Sequence, residues 1–378
     1  MNSADPRFSV IGICFVFRLG IIHAGSVDCA DSRIVSAGSS FRAILFDSLE
    51  MNIRNFMRYE DSKTKYAGVL IAAPTPMKDD ESLDLSRLGQ LIRYYRAAGL
   101  TQGNCVCTIL GAGGEAMHLD ESERMQVAET AVEAAEGKIP IYVGVGHTRT
   151  QTAVELARHA DRIGADGLQV ELPYYFANSP DDAFAFLGEV AGAVECGLAV
   201  YPTPWTSGMS FQADFIARMC EAFPNVVGLK WWCDNAFEWF RVVETFSDRL
   251  SIVSNMPSAI GPSAFLLGAR GYVSQAVSAA PRQNVQIVQW LQSGQYKNAM
   301  AWIRIVEDGY YKIAKQALVD GYSGEGNYIK GAMDAVGFPC GPPRLPNRAM
   351  PPHIRKRFEI WASTIAALDK QETATPSS

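Results

Sequence analysis

One pattern repeats eight times along this chain: a short apolar run rich in β-branched residues, then a longer amphipathic stretch. The apolar runs fall at 69–73, 105–110, 139–145, 167–171, 198–201, 226–230, 251–254 and 271–274. Runs of this length and composition, bounded by Gly, Pro and Asn, read as strands. The stretches between them, at 84–98, 121–135, 151–163, 181–194, 212–222, 236–245, 263–267 and 283–292, read as helices. Asp120 followed by Glu123 supplies one of those helices with a capping-box start. Eight strand–helix units in one continuous segment predict a closed (β/α)8 TIM barrel. A doubly wound open sheet is the second architecture, but no Gly-x-Gly-x-x-Gly turn follows the first run.

The remaining segments set the domain organisation. After residue 295 the strand signals stop, and 296–319, 327–336 and 353–368 read as helices. The division expected is a leader at 1–62, poorly ordered; a catalytic barrel at 63–295; a small C-terminal helical domain at 296–370; and a disordered tail at 371–378. The apolar run at 8–17, with Arg7 before it and Ala24-Gly-Ser after it, has features of a signal peptide. A leader is the preferred reading, because export would leave many of the eight cysteines unpaired, and a cytoplasmic location follows from it. A net charge of −6 gives no basic footprint, so nucleic acid is not an expected partner. No apolar run approaches the ~20 residues of a membrane span, so no membrane partner is expected either.

In a barrel of this kind the chemistry sits where the strands end. Lys230 closes the sixth run, in Asn225-Val-Val-Gly-Leu-Lys230. Burial there disfavours the ammonium form, and a neutral amine attacks ketone or aldehyde carbonyls to form a Schiff base. The plainer alternative is a lysine that reaches past the strand end to water. Tyr201 ends the fifth run, where its phenol can pass protons to and from a bound substrate. Gly111-Ala112-Gly113-Gly114 follows the second run and offers backbone N–H groups suited to a carboxylate. A carbonyl trap beside a carboxylate nest describes a 2-keto acid. Read one by one, these features are also consistent with a half-buried strand-end tyrosine and an ordinary tight turn. A metal-dependent lyase would instead need a carboxylate–histidine cluster, for which Glu115, His147 and Glu171 are the candidates.

The motifs taken in order carry a more specific signal. They are Thr75-Pro76, the loop from Gly111 to Glu115 with Leu119 and Glu123-Arg124 beyond it, Pro173-Tyr174-Tyr175, Tyr201-x-x-Pro204 with Gly208, Gly228-Leu-Lys230 and Arg344-Leu-Pro. In this order and spacing, from about 66 to 350, the chain resembles the dihydrodipicolinate synthase / N-acetylneuraminate lyase family of lysine-dependent lyases. The resemblance implies a barrel with a C-terminal helical domain, assembled as a homo-oligomer (a dimer or, more usually in the family, a tetramer). It implies that Lys230 forms the Schiff base and Tyr201 shuttles protons, with no cofactor and no metal. It places the keto-acid carboxylate at Ala112 and Gly113, a proton-relay phenol at Tyr174 or Tyr175, and the backbone near Val273 against the pocket.

This chain departs from the family pattern at several of those positions. Ala112 and Gly113 stand where the family carries two hydroxyl residues, so the backbone donors remain but the hydroxyls do not. Thr206 stands where true synthases carry an arginine for the second substrate's carboxylate. Trp231 and Trp232 follow the lysine, which predicts a bulkier, more apolar pocket. The expected activity is therefore a Schiff-base lyase, an aldolase or dehydratase acting on a 2-keto acid or aldehyde substrate such as pyruvate or a 2-keto-3-deoxy sugar acid, and not a true dihydrodipicolinate synthase. The second reading is a catalytically impaired barrel that binds keto acids or regulates.

Overall fold

The computed structural model describes residues 54–55, 57–257 and 260–372. The apolar run at 8–17 and the tail after 372 lie outside the described residues. A helix at 57–65, α1, occupies part of the stretch expected to be leader. Its Ser62 and Lys63 are buried, and the Ser62 hydroxyl donates to Asp166 O at 2.9 Å. Ordered structure therefore begins ahead of residue 63, because α1 packs over the N-terminal ends of the strands.

Eight parallel strands follow: β1 (Gly68–Ala72), β2 (Cys105–Ile109), β3 (Ile141–Gly144), β4 (Gly167–Glu171), β5 (Gly197–Tyr201), β6 (Val226–Trp231), β7 (Ser251–Ser254) and β8 (Gly271–Ser274). They pair in sequence order, and β8 returns to β1 to close the barrel. Around them run α2 (Leu85–Ala97), α3 (Glu121–Ala135), α4 (Thr150–Arg162), α5 (Pro180–Ala191), the short α6 (Pro204–Ser207), α7 (Ala213–Ala222), α8 (Ala236–Phe246) and α9 (Pro281–Gln292). The capping box expected at Asp120 and Glu123 starts α3. The stretch 263–267, expected as a helix, lies within a 3-10 segment, Gly261–Leu267. The C-terminal helices are α10 (Tyr296–Val319), α11 (Glu325–Ala335) and α12 (Pro352–Glu372).

Strand alternation sorts the side chains into two cores. One face packs outward on the helices. The other fills the barrel, where Leu70, Val106, Tyr142, Ala199 and Val253 meet over Tyr66. The rings of Tyr66 and Tyr142 lie 4.8 Å apart and plug the N-terminal end. The C-terminal end is left to polar residues. The register between β5 and β6 shifts by one residue, so that Leu198 pairs with Val226 but Ala199 pairs with Gly228. With Val200 then level with Leu229, the shift brings Tyr201 and Lys230 side by side on the inner face.

Candidate active site

The last inward positions of four consecutive strands carry polar side chains: Glu171 on β4, Tyr201 on β5, Lys230 on β6, and Asn255 just past β7. Glu171 and Tyr201 are register partners. Lys230 is only 7% exposed. Its Nζ sits 4.0 Å from the centroid of the Tyr201 ring. Among the described residues no hydrogen-bond acceptor or ion-pair partner reaches that amine. Burial pushes the Lys230 amine below its ordinary value, against the opposing pull of Glu325 and Glu171.

Burial opposes charge on the neighbours of the lysine as well. Burial raises the Tyr201 phenol well above its usual range, and the nearby Glu325 and Glu171 push the same way. Asn255 Nδ2 donates to the Tyr201 hydroxyl at 2.9 Å, which fixes the phenol's direction. Burial likewise raises the carboxyls of Glu171 and Glu325. Glu171 accepts a hydrogen bond from the Gln169 amide.

Two neighbouring spaces open beside this cluster. A cleft of about 750 Å³ holds Lys230, Asn255 and Val273, and is walled by Tyr311 and Lys315 of α10. A smaller pocket of about 220 Å³ holds Ala112, Glu171, Tyr174, Thr203 and Thr206. Tyr201, Trp205 and Glu325 border both. Trp205 stands edge-on to Trp232, with ring centroids 5.2 Å apart, over the mouth. The site can thus take a carbonyl at Lys230 and a second group in the adjoining pocket.

The structure brings together most of the residues expected from the sequence. Lys230 and Val273 line the larger space, Ala112, Tyr174 and Thr206 the smaller, and Tyr201 both. Tyr175 lies apart: it is 86% exposed, has φ of 106°, and stacks edge-on against Phe176. Trp231 also differs from expectation. It follows an inward lysine, so alternation turns it outward, where its Nε1 donates to Trp239 O at 3.2 Å. Only Trp232 of that pair lines the cleft. Gly113 is buried, and a Cβ there would come within 3.0 Å of Ala72 Cβ, Ala72 O and Ile329 Cδ1. The Thr206 hydroxyl is engaged by Thr203 Oγ1 at 2.7 Å.

Glu115, His147 and Glu171 are not drawn into a metal cluster. Among the described residues no group of three or more His, Cys, Asp or Glu side chains could hold a metal ion. Glu115 instead pairs with Lys330 Nζ at 2.5 Å and accepts from Arg344 N at 2.9 Å. Asn255 and Glu325 are site residues that the sequence reading did not include. Asn255 could have been found by alternation, since it lies two beyond the inward Val253. Glu325 stands in a polar, glycine-flanked segment, and nothing local marks it.

A closed barrel with a buried, unpartnered amine beside a phenol at the C-terminal ends of its strands defines the class. The comparisons give the family. Residues 65–363 match the model of the dihydrodipicolinate synthetase family, and the chain belongs to that family. A relative named 4-hydroxy-tetrahydrodipicolinate synthase, from Methanothrix thermoacetophila, is 30% identical over 283 residues, covering 74% of this chain and 90% of its own. Among solved structures, dihydrodipicolinate synthase from Aquifex aeolicus superposes with a TM-score of 0.72 at 24% identity, covering 80% of this chain and 98% of its own. The Escherichia coli K12 prophage protein YagE, of the dihydrodipicolinic acid synthase family and solved in complex with pyruvate, gives 0.71 at 21% identity over 80% of this chain and 99% of its own. Among the described residues no helix is long and apolar enough to cross a membrane.

Proposed function

We propose that this chain is a lyase whose Lys230 forms a Schiff base with a 2-keto acid such as pyruvate or a 2-keto-3-deoxy sugar acid. The observation that carries this reading is the Lys230 amine itself: 7% exposed, 4.0 Å over the Tyr201 ring, and facing a cleft large enough for a substrate. An amine held this way spends more of its time neutral, and a neutral amine is a nucleophile. Tyr201, kept protonated by burial and aimed by Asn255, moves protons between the nitrogen and the departing or arriving oxygen. The backbone N–H groups of Ala112 and Gly113 serve the keto-acid carboxylate, since those of Gly114 and Glu115 already donate to Gly111 O and Ala112 O. Pyruvate bound to YagE supports the choice of probe.

Cleavage or dehydration fits this site better than the synthase condensation. Thr206, an uncharged residue whose hydroxyl is held by Thr203, stands where the synthases present an arginine to their second substrate. Incubation with pyruvate and borohydride tests the reading. Mass should be added at Lys230, and a panel of 2-keto-3-deoxy sugar acids should reveal the one that turns over. Absence of an adduct with every keto acid or aldehyde tried would remove it. A second reading, a keto-acid binder without turnover, is motivated by Gly113, where the hydroxyl is missing and a Cβ would press on Ala72 and Ile329 at 3.0 Å. Thermal stabilisation by keto acids with no product formed would favour that reading.

A further inference from the structure

We propose that Glu325 is a further catalytic residue of this site, its carboxyl carrying the protons that the residues at 112 and 113 cannot. This rests on the Schiff-base reading of Lys230 and adds a named acid–base group to it. Three residues border both the lysine cleft and the adjoining pocket, and Glu325 is the one carboxylic acid among them. Among the described residues no hydrogen bond or ion pair engages its side chain. Of the other carboxyls that line the two spaces, Asp308 borders the larger alone, and Glu171 is already hydrogen-bonded by Gln169 and borders the smaller alone. Tyr201 can relay a proton but holds its own too tightly to act as the base.

The placement of Glu325 follows from how α11 is seated. Glu325 is the first residue of that helix. The next residue, Gly326, lies so close to the Gly111–Glu115 loop that a Cβ would come within 2.6 Å of Glu115 Cγ and 2.7 Å of Gly113 O. Further along, Lys330 is tied to Glu115 at 2.5 Å. Ile329 of the same helix, together with Ala72 of β1, crowds the place of a side chain at 113 at 3.0 Å. The helix that helps to crowd position 113 therefore also supplies a carboxyl at 325.

The chemistry balances without any added reagent. Neutral Lys230 Nζ adds to the ketone carbon; the C–N bond forms, the carbonyl π pair moves to oxygen, and a proton passes from nitrogen to oxygen. Glu325, as the carboxylic acid, then gives its proton to that hydroxyl. The C–O bond breaks, water leaves with the pair, and the nitrogen lone pair completes the iminium. The Glu325 carboxylate next takes a proton from C3. The C–H pair forms the enamine double bond, the iminium pair returns to nitrogen, and the carboxylic acid is restored.

Pyruvate alone tests this, with no need of the natural substrate. In D2O the loss of the pyruvate methyl signal reports C3 proton exchange, and borohydride trapping reports the Schiff base. For Glu325→Gln the trapped adduct at equilibrium should persist while exchange slows by about 10²-fold or more. A helix-starting residue with a merely structural role would not separate those two readouts. Exchange within about threefold of the unsubstituted protein overturns the proposal, since general acid–base catalysis is worth far more. If the unsubstituted protein gives no adduct, the Schiff-base reading falls and this one with it, an outcome distinct from an adduct with unimpaired exchange. Should Glu325→Gln lose its cooperative thermal transition, Glu325→Asp replaces it, and retained adduct with slowed exchange supports the proposal while unchanged exchange overturns it.

Discussion

The barrel and the helical domain each bury a lysine, and the two are built to opposite ends. Lys230 is 7% exposed and Lys330 is 2% exposed. Burial lowers both amines from their usual value. Lys330, however, meets Glu115 Oε1 at 2.5 Å and donates to Pro342 O at 2.8 Å. Its nitrogen is committed to a salt bridge and a hydrogen bond, which fasten α11 to the loop after β2. Lys230 has an aromatic face on one side and a cleft on the other. Similar burial thus yields a bracket in one place and, in the function proposed above, a nucleophile in the other, and the difference lies in the partners rather than in the desolvation.

The contrast can be broken most sharply by exchanging each lysine for methionine. Lys230→Met should abolish keto-acid trapping and turnover while leaving the melting temperature unchanged or higher, because a desolvated amine without an ion-pair partner among the described residues has been removed. Lys330→Met should do the reverse. It leaves Glu115 buried without its cation, a loss of about 3–5 kcal/mol, while the Lys230 adduct still forms in whatever protein remains folded. Trapping by mass spectrometry and thermal denaturation read both. If Lys230→Met proved as destabilising as Lys330→Met, the distinction would fail.

Tyr201→Phe sharpens the catalytic half of the comparison. It keeps the ring beneath the amine and removes the hydroxyl held by Asn255, so kcat should fall by about 10²–10⁴-fold with the adduct still trappable. A smaller effect is expected at Glu307, a buried carboxyl with no ion-pair partner among the described residues. It accepts from Ser274 Oγ at 2.7 Å, and burial pushes it up to about 7 from an ordinary 4.5. The folded state therefore holds a proton that the unfolded chain releases between pH 4.5 and about 7, so stability falls as pH rises through that window. The loss is of the order of 3 kcal/mol. Glu307→Gln should flatten that slope and raise the melting temperature at pH 8 more than at pH 5.

The strands and helices were legible because each rests on a local period, and the residues that set it lie within one element. Lys230 and Tyr201 were legible for the same reason, as polar groups closing apolar runs. Trp231 shows what that reading lacked. Its composition suggested a pocket wall, but a strand cannot turn two consecutive side chains inward. Glu325 shows a different gap. In Ser323-Gly-Glu-Gly-Asn327 a carboxylate reads as solvent-facing, and only the return of α11 across the barrel mouth brings it to the amine. The helix at 57–65 was obscured because the residues before it carry no strand–helix pattern, while its own burial depends on strand ends far along the chain.

The first turn and a half of α11 also works as a gauge rod. From Glu325 to Lys330 the axis rises about 7.5 Å, and both ends are used: one in the cleft, the other on Glu115. One residue inserted between them would swing one end by about 100° relative to the other, so either the carboxyl would leave the cleft or the ammonium would leave its partner. Length cannot change within that turn and a half without giving up one of the two contacts.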